Sequence, residues 1–311
     1  MNLLRSLLIT GLTCFSSLSI AANQCQTIRF ADVGWTDITA TTAITSVILE
    51  GLGYQTETKL LSVPVTYKSL ASGDIDVFLG NWMPTMENDI APYRKKGTID
   101  ILGKNLTGAK YTLAVPRYVY EEGVKSFADI AKYANKFQQR IYGIEPGNDG
   151  NRIIQDMIDQ NAFKLSEFKV VESSEAGMLS QVKRAVKRKK WIVFLGWEPH
   201  PMNTQFDLVY LPGGDQFFGP NLGGAEVYTN VRKNFAQECT NAGQLLNNIQ
   251  FTLTMENAVM DSILNQGLSP KEASKQWLRN NPKVLTQWLE NIKTVDGKPG
   301  HNAVTQSLKK S

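Results

Sequence analysis

Three tryptophans in this chain stand where an apolar run stops at Gly or Pro. Trp82 lies in Ile75-Asp76-Val77-Phe78-Leu79-Gly80-Asn81-Trp82-Met83-Pro84, and Trp197 in Trp191-Ile192-Val193-Phe194-Leu195-Gly196-Trp197-Glu198-Pro199. A run this short, rich in Val, Ile and Phe, reads as a buried parallel strand. Gly lets the chain turn and Pro bars continuation. Trp35 repeats the arrangement after Thr27–Val33 and Gly34, and Tyr111 opens the strand-like stretch Ala109–Val115. In open α/β sheets the carboxyl ends of strands are where ligands bind. Taken singly, any of these rings is better explained as core packing. Taken together they fit an aromatic box. Such a box attracts a quaternary ammonium, which has no N–H to donate, with about 0.5–2 kcal/mol from each well-placed ring.

Polar residues near these rings narrow the chemistry. Asp37 opens the helical segment after Trp35. Asn148 lies in the loop Glu145-Pro146-Gly147-Asn148-Asp149-Gly150-Asn151 before the next apolar helical stripe. Glu145 and Glu198 flank proposed cleft positions and read as caps or surface acids, with Glu198 in a tight turn. No G-x-S-x-G, Walker loop or H-E-x-x-H occurs. His200 and His301 are the only histidines, which excludes a histidine-based metal cluster and argues against a histidine general base. No catalytic residue, metal or cofactor is expected.

The elements that must hold these residues alternate strand and helix. Thr27–Val33 reads as a strand, Ile38–Leu52 as a helix capped by Thr36 or Asp37, Glu57–Val63 as a strand and Val65–Ala71 as a short helix. Pro84–Tyr93 reads as a helix with Pro in its first turn, and Thr98–Leu102 as a strand stopped by Gly103. Near Thr107-Gly108 the chain is expected to cross to a second lobe. There Ala109–Val115, Arg140–Ile144, Phe168–Val171 and Leu208–Leu211 are strands around the helices at Ser126–Tyr133, Ile153–Ile158 and Met178–Val186. Lys187-Arg188-Lys189-Lys190 reads as cations at a helix C-terminus, not as a nucleic-acid patch. The Gly/Pro-rich stretch Gly219–Gly224 returns the chain to the first lobe through a strand at Ala225–Val231. Helices follow at Leu245–Leu253, Met255–Asn265, Pro270–Leu278 and Pro282–Glu290, then a polar, loosely held tail after Lys293. The fold class is thus α/β, with two doubly wound lobes joined by a hinge and a ligand cleft between them. Residues 23–109 plus 213–311 form one lobe and 110–212 the other.

Bulk properties agree. The 311 residues carry a net charge of +4, which gives no reason to propose nucleic acid or membrane as a partner. Residues 1–22 have Arg5, an apolar stretch and Ser19-Ile20-Ala21-Ala22, the layout of a cleaved secretory signal. A lipid anchor on Cys14 is disfavoured by Leu12 and Thr13 before it. Cys14 leaves with the leader, so Cys25 and Cys239 remain, either bridged or as two separate buried thiols. Export permits a bridge, and closing so long a loop is worth about 4–5 kcal/mol in the chain-entropy account.

With these motifs in view, the sequence resembles the periplasmic choline-binding proteins of ABC importers, within the wider group that binds glycine betaine and related quaternary amines. The resemblance is carried by Gly34-Trp35-Thr36-Asp37, Gly80-Asn81-Trp82-Met83-Pro84, Lys110-Tyr111-Thr112, the loop Glu145–Asn151 and Leu195-Gly196-Trp197-Glu198-Pro199. It implies a periplasmic binding protein of type II, the Venus-flytrap class. It implies a cage of Trp35, Trp82, Tyr111 and Trp197 around a trimethylammonium, with the hydroxyl of choline held by Asp37 and Asn148. It also implies a Cys25–Cys239 disulfide, a separate membrane permease with its own ATPase subunit, a monomer and no cofactor. A carboxylate-bearing ligand such as betaine would be repelled by Asp37. The rival expectations are a glycine betaine or carnitine receptor, an enzyme acting on a quaternary amine, and a protein whose four rings are all core.

Overall fold

A computed structural model describes residues 25–310. The proposed leader and Cys14 lie outside the described residues. The first half-sheet grows from β1 (Thr27–Asp32), whose residues Ile28, Phe30 and Ala31 are fully buried. It pairs in parallel with β2 (Gln55–Leu60) along its whole length and with β3 (Val77–Met83) at Phe30–Val77. Helix α1 (Thr36–Gly51) crosses from β1 to β2, and α2 (Val63–Ser72) from β2 to β3. Asp76, buried at the head of β3, takes hydrogen bonds from Arg29 at 2.8 Å and Arg232 at 2.7 Å, which ties β1 to the strand on the far side of β3. Both tryptophan phrases form strands as expected, but each is parallel on one side only. β3 is antiparallel to β9 (Gly224–Arg232), and β7 (Phe194–Glu198) is parallel to β5 (Arg140–Tyr142) and antiparallel to β4 (Ile99–Pro116).

One strand departs most from expectation. The segment read as two strands, with a stop at Gly103 and a crossing at Thr107-Gly108, is a single strand, β4 (Ile99–Pro116). Its first part pairs with β9 and its second with β7 and with β8 (Leu208–Tyr210). Gly103 does not end it, because the register shifts between Ile101 and Gly103, between Lys104 and Leu106, and between Leu106 and Ala109 absorb the disruption as bulges. Bulges bend and twist a strand without breaking its ladder. The sheet is therefore continuous, in the order β2-β1-β3-β9-β4-β7-β5-β6, where β6 is Lys169–Val171. The β4–β9 ladder joins the two halves.

Other corrections are local. Helix α3 (Glu87–Lys96) starts beyond Pro84 and carries Pro92 inside it, because a turn closed by the Met86 N–H on the Trp82 carbonyl comes first. In the second half α4 (Asp149–Asp159) is capped by Asn148, whose side chain accepts the Asn151 N–H. Next, α5 (Glu175–Lys187) is capped by Ser174 through the Gly177 N–H. Helices α6 (Thr240–Asn248), α7 (Leu253–Leu264), α8 (Pro270–Asn280) and α9 (Lys283–Trp288) follow, α8 opening on a Ser269–Glu272 capping box. The tail is not loosely held. It forms α10 (Gly300–Lys309), whose Val304 and Leu308, one helical turn apart, are buried with the helix against α1. Cys25 and Cys239 are joined in a disulfide, with Cα atoms 5.5 Å apart.

Candidate ligand-binding site

Three of the rings reach the site from strand ends and the fourth, Tyr111, from within a strand. Trp35 immediately precedes α1, Trp82 lies near the end of β3, Tyr111 sits on β4 and Trp197 near the end of β7. All four line one pocket with Asp37, Ile144, Asn148 and Asp149, and the space among them, about 10 Å³, is room for about one water-sized sphere. The ring centroids of Trp82 and Tyr111 are 6.1 Å apart, tilted by 60°. None of the four is more than 6% exposed. Burial by itself would also fit plain core packing, but here the rings line one pocket together with a buried carboxylate whose Oδ1 lacks a partner.

The polar groups fix the rings and leave two buried carboxylate oxygens open, Asp37 Oδ1 and Asp149 Oδ2. Tyr111 donates its phenol proton to Asn148 Oδ1 at 2.9 Å. The same oxygen accepts the Asn151 N–H at 3.1 Å, while Asn148 Nδ2 donates to Asp149 Oδ1 at 3.1 Å. Asn148 is thus helix cap and ring anchor at once, with one amide proton left. Burial pushes the Tyr111 phenol well above its ordinary pKa, so it stays a neutral donor. Gly150 makes the approach of this ring possible, since a Cβ there would lie 2.0 Å from the Tyr111 oxygen. Asn151 holds the loop from inside by accepting the Ile144 N–H at 3.0 Å and donating to the Ile144 carbonyl at 3.0 Å.

Asp37 is 1% exposed and its Oδ1 has no hydrogen-bond partner. Burial, then the nearby charge of Glu175, pushes its carboxyl up to about 8. A buried acceptor with nothing to accept is costly, about 1–3 kcal/mol. At a cavity wall it is an invitation to a donor or a cation. Neither Thr36 nor Asp37 caps α1 through its side chain, contrary to expectation. Asp37 lines the cavity, and Thr36 bonds to Glu175.

The six residues singled out from sequence therefore meet in one place. Sequence reasoning missed Ile144 and Asp149. Asp149 follows Asn148 directly, is 1% exposed, and is pushed up to about 6, mainly by burial. Its signal was its place in the Glu145–Asn151 loop. Glu145 and Glu198, read as caps or surface acids, divide. Glu145 is half-buried and accepts the Glu175 N–H at 2.8 Å. Glu198 ends β7 instead of sitting in a turn, and pairs with Lys110 at 3.4 Å on the surface. No cluster of metal-binding side chains occurs among the described residues.

With this geometry in place, comparison with known proteins is direct. Residues 26–280 match the family described as the substrate-binding domain of ABC-type glycine betaine transport systems. A solved ABC-transporter choline-binding protein in complex with choline is 57% identical, with a TM-score of 0.91 over 92% of this chain and 99% of that one. Lactococcal OpuAC, solved closed on glycine betaine, is 30% identical, with a TM-score of 0.77 over 85% of this chain and 99% of that one. The glycine betaine/carnitine transport binding protein GbuC of Listeria monocytogenes is 33% identical over 157 residues, 50% of this chain and 51% of its own length. These structures share the mixed α/β two-lobe architecture, with its curled sheet and flanking helices. A two-lobed fold whose strand ends wall one aromatic cavity, matched over most of its length, decides the family: the chain belongs to the substrate-binding domains of ABC-type glycine betaine transport systems.

Proposed function

We propose that the cavity takes choline. The trimethylammonium sits among Trp35, Trp82, Tyr111 and Trp197, and the hydroxyl lies between Asp37 and Asn148. The reading rests on one observation above all: four buried rings face the same cavity as a buried carboxylate whose Oδ1 lacks a partner. A hydroxyl is both donor and acceptor. Asp37 Oδ1 accepts its proton, and the spare amide proton of Asn148 reaches its oxygen. Rings contributing about 0.5–2 kcal/mol each, with one charge-assisted hydrogen bond, support micromolar binding when the site is preorganised. The 57% identity to a choline-bound relative supports the same assignment.

In this reading residues 23–109 plus 213–311 and residues 110–212 move as two bodies about the β4–β9 ladder and close on the ligand. The protein carries out no covalent chemistry. It works as an exported monomer in the periplasm and delivers choline to a separate permease and ATPase. No helix among the described residues is long and apolar enough to cross a membrane.

A second reading, a glycine betaine receptor, is favoured by one feature. With its carboxyl pushed up to about 8, Asp37 can be protonated at neutral pH and so donate to a ligand carboxylate. Calorimetric titration of the mature protein separates the two. Low-micromolar choline with much weaker betaine supports the choline assignment. Equal or reversed affinities move the protein to betaine uptake, and heat from neither removes both.

A further inference from the structure

The loop that carries two of the cavity's residues is gripped from the opposite half of the molecule. Thr36 lies between Trp35 and Asp37. Its N–H donates to Glu175 Oε2 at 2.9 Å and its hydroxyl to Glu175 Oε1 at 2.5 Å. Glu175 is the first residue of α5 and is 3% exposed. His200 supports the carboxylate from behind. Its Nδ1 accepts the Met202 N–H at 2.9 Å, which leaves the ring proton on Nε2, 3.1 Å from Glu175 Oε1. The His200 ring, 1% exposed, packs against Trp197 with centroids 4.9 Å apart. The chain of contacts thus runs from Trp197 on one wall of the cavity, through His200 and Glu175, to the backbone between Trp35 and Asp37 on the other.

Resting on the two-lobe, choline-binding reading above, we propose that Glu175 is the closing latch of the cleft and that His200 is its positioning residue. The latch sets how long the closed form lasts without touching the ligand. A buried carboxylate that collects three donors is among the stronger hydrogen-bonding arrangements a protein makes, and leaving it unpaired is penalised. Two of those donors are available only when the first half is docked against the second, so their free energy belongs to the closed form alone and shifts the equilibrium toward it. A further charged clasp between the halves, Asp89 with Arg152, has the Arg152 side chain 39% exposed and contributes less.

The test is stopped-flow choline binding and release on the full mature chain, with interlobe distance followed by a pair of fluorophores, one on each lobe. The variants are Thr36→Val, Thr36→Ser and Glu175→Gln. Thr36→Val leaves every charge in place and removes one latch donor. Release is expected to speed up about tenfold for Thr36→Val and Glu175→Gln, the size of one hydrogen bond to a charged group, with association within about twofold. Thr36→Ser, which keeps the hydroxyl, should behave as the parent. The bound variants should also spend less time at the short interlobe distance. Release rates and distances equal to the parent's would overturn the latch, as would a loss confined to thermal stability with unchanged release. If the parent itself fails to bind choline, the ligand assignment falls. The latch is then judged by interlobe distance alone, and an unchanged ligand-free distribution in Glu175→Gln overturns it.

Discussion

Tyr111 and Trp197 are register partners across the antiparallel β4–β7 ladder, so two walls of the cavity are mounted side by side on one pair of strands. Trp82 stands 6.1 Å from Tyr111, and it comes from β3, which belongs to the other half-sheet. The cavity is therefore part rigid and part assembled. In the proposed closure one pair of rings is held by the β4–β7 ladder throughout, and Trp35 and Trp82 complete the enclosure on docking. Preorganisation of this kind limits the ordering cost that a small ligand must overcome.

This division predicts unequal effects on the two walls. Trp197→Ala should weaken choline binding mainly through faster release, because it removes a ring from the preformed wall. Trp82→Ala should also reduce the extent of closure. Each should cost about two- to thirtyfold in affinity, the range that about 0.5–2 kcal/mol of cation–π attraction implies, and Phe at either position should recover part of it. Calorimetry beside the interlobe distance checks both. Full affinity in both Ala variants would return the rings to mere core packing.

Asp37 ties binding to pH. Its carboxyl is pushed by burial, then by Glu175, from an ordinary 3.8 up to about 8, so a cation seated beside it favours loss of the proton. Choline affinity should rise with pH up to about 8 and level off above, by at most about tenfold per pH unit, and binding near neutrality should release a proton. Betaine, whose carboxylate needs a protonated Asp37, should bind with constant affinity below about pH 8 and more weakly above it. Because the folded-state value is raised, the burial penalty is absent below pH 3.8, grows between 3.8 and about 8, and is full above, so ligand-free thermal stability should decline across that window. Asp37→Asn should flatten both slopes and narrow the choline-to-betaine ratio. Titrations in buffers of different ionisation enthalpy measure the proton directly, and a pH-independent choline affinity in the parent would rule out the linkage.

The cage was legible because its signal is local. Gly and Pro around Trp82 and Trp197 mark strand ends, and strand ends in α/β sheets converge. Asn148 was legible as a helix start for a similar reason. Glu175 and His200 were not, because nothing in their neighbourhoods says that α5 points at the β1–α1 loop. That is a property of the sheet order, which depends on pairings more than a hundred residues apart. The β4 strand was misread for a related reason. Gly103 and Gly108 carry the local chemistry of a stop, but β9 supplies a ladder partner on both sides of them, and that long-range pairing overrides the local preference. Val304 and Leu308 had the spacing of a buried stripe, but only the presence of α1 opposite them makes a helix there worthwhile.

Gly150 is a sharp test of how Tyr111 is placed. A methyl group there would fall 2.0 Å from the phenol oxygen and 2.7 Å from the adjoining ring carbon, too close for either atom to remain. Gly150→Ala should push Tyr111 away from Asn148, breaking the 2.9 Å hydrogen bond and opening one wall. Choline affinity should fall more than in Tyr111→Phe, which keeps the ring in place and removes only the hydroxyl. Equal affinities for the two variants would mean that the backbone of α4 gives way and the ring stays put.

The Cys25–Cys239 disulfide should matter to stability and not to the ligand. It spans 214 residues of sequence and ties the start of β1 to the start of α6, and neither cysteine lines the pocket. Cross-linking so long a loop removes unfolded-state entropy worth about 5 kcal/mol in the chain-entropy account, and native-state strain or residual structure in the unfolded chain lowers that figure. Cys25→Ser with Cys239→Ser should therefore lower the urea midpoint substantially while leaving choline affinity within about twofold, since no cage residue moves with it. The same pair of measurements on reduced parent protein should agree. A large loss of affinity with little loss of stability would mean that the bridge acts on the geometry of β1, and through Trp35 and Asp37 at its carboxyl end, on the cavity itself.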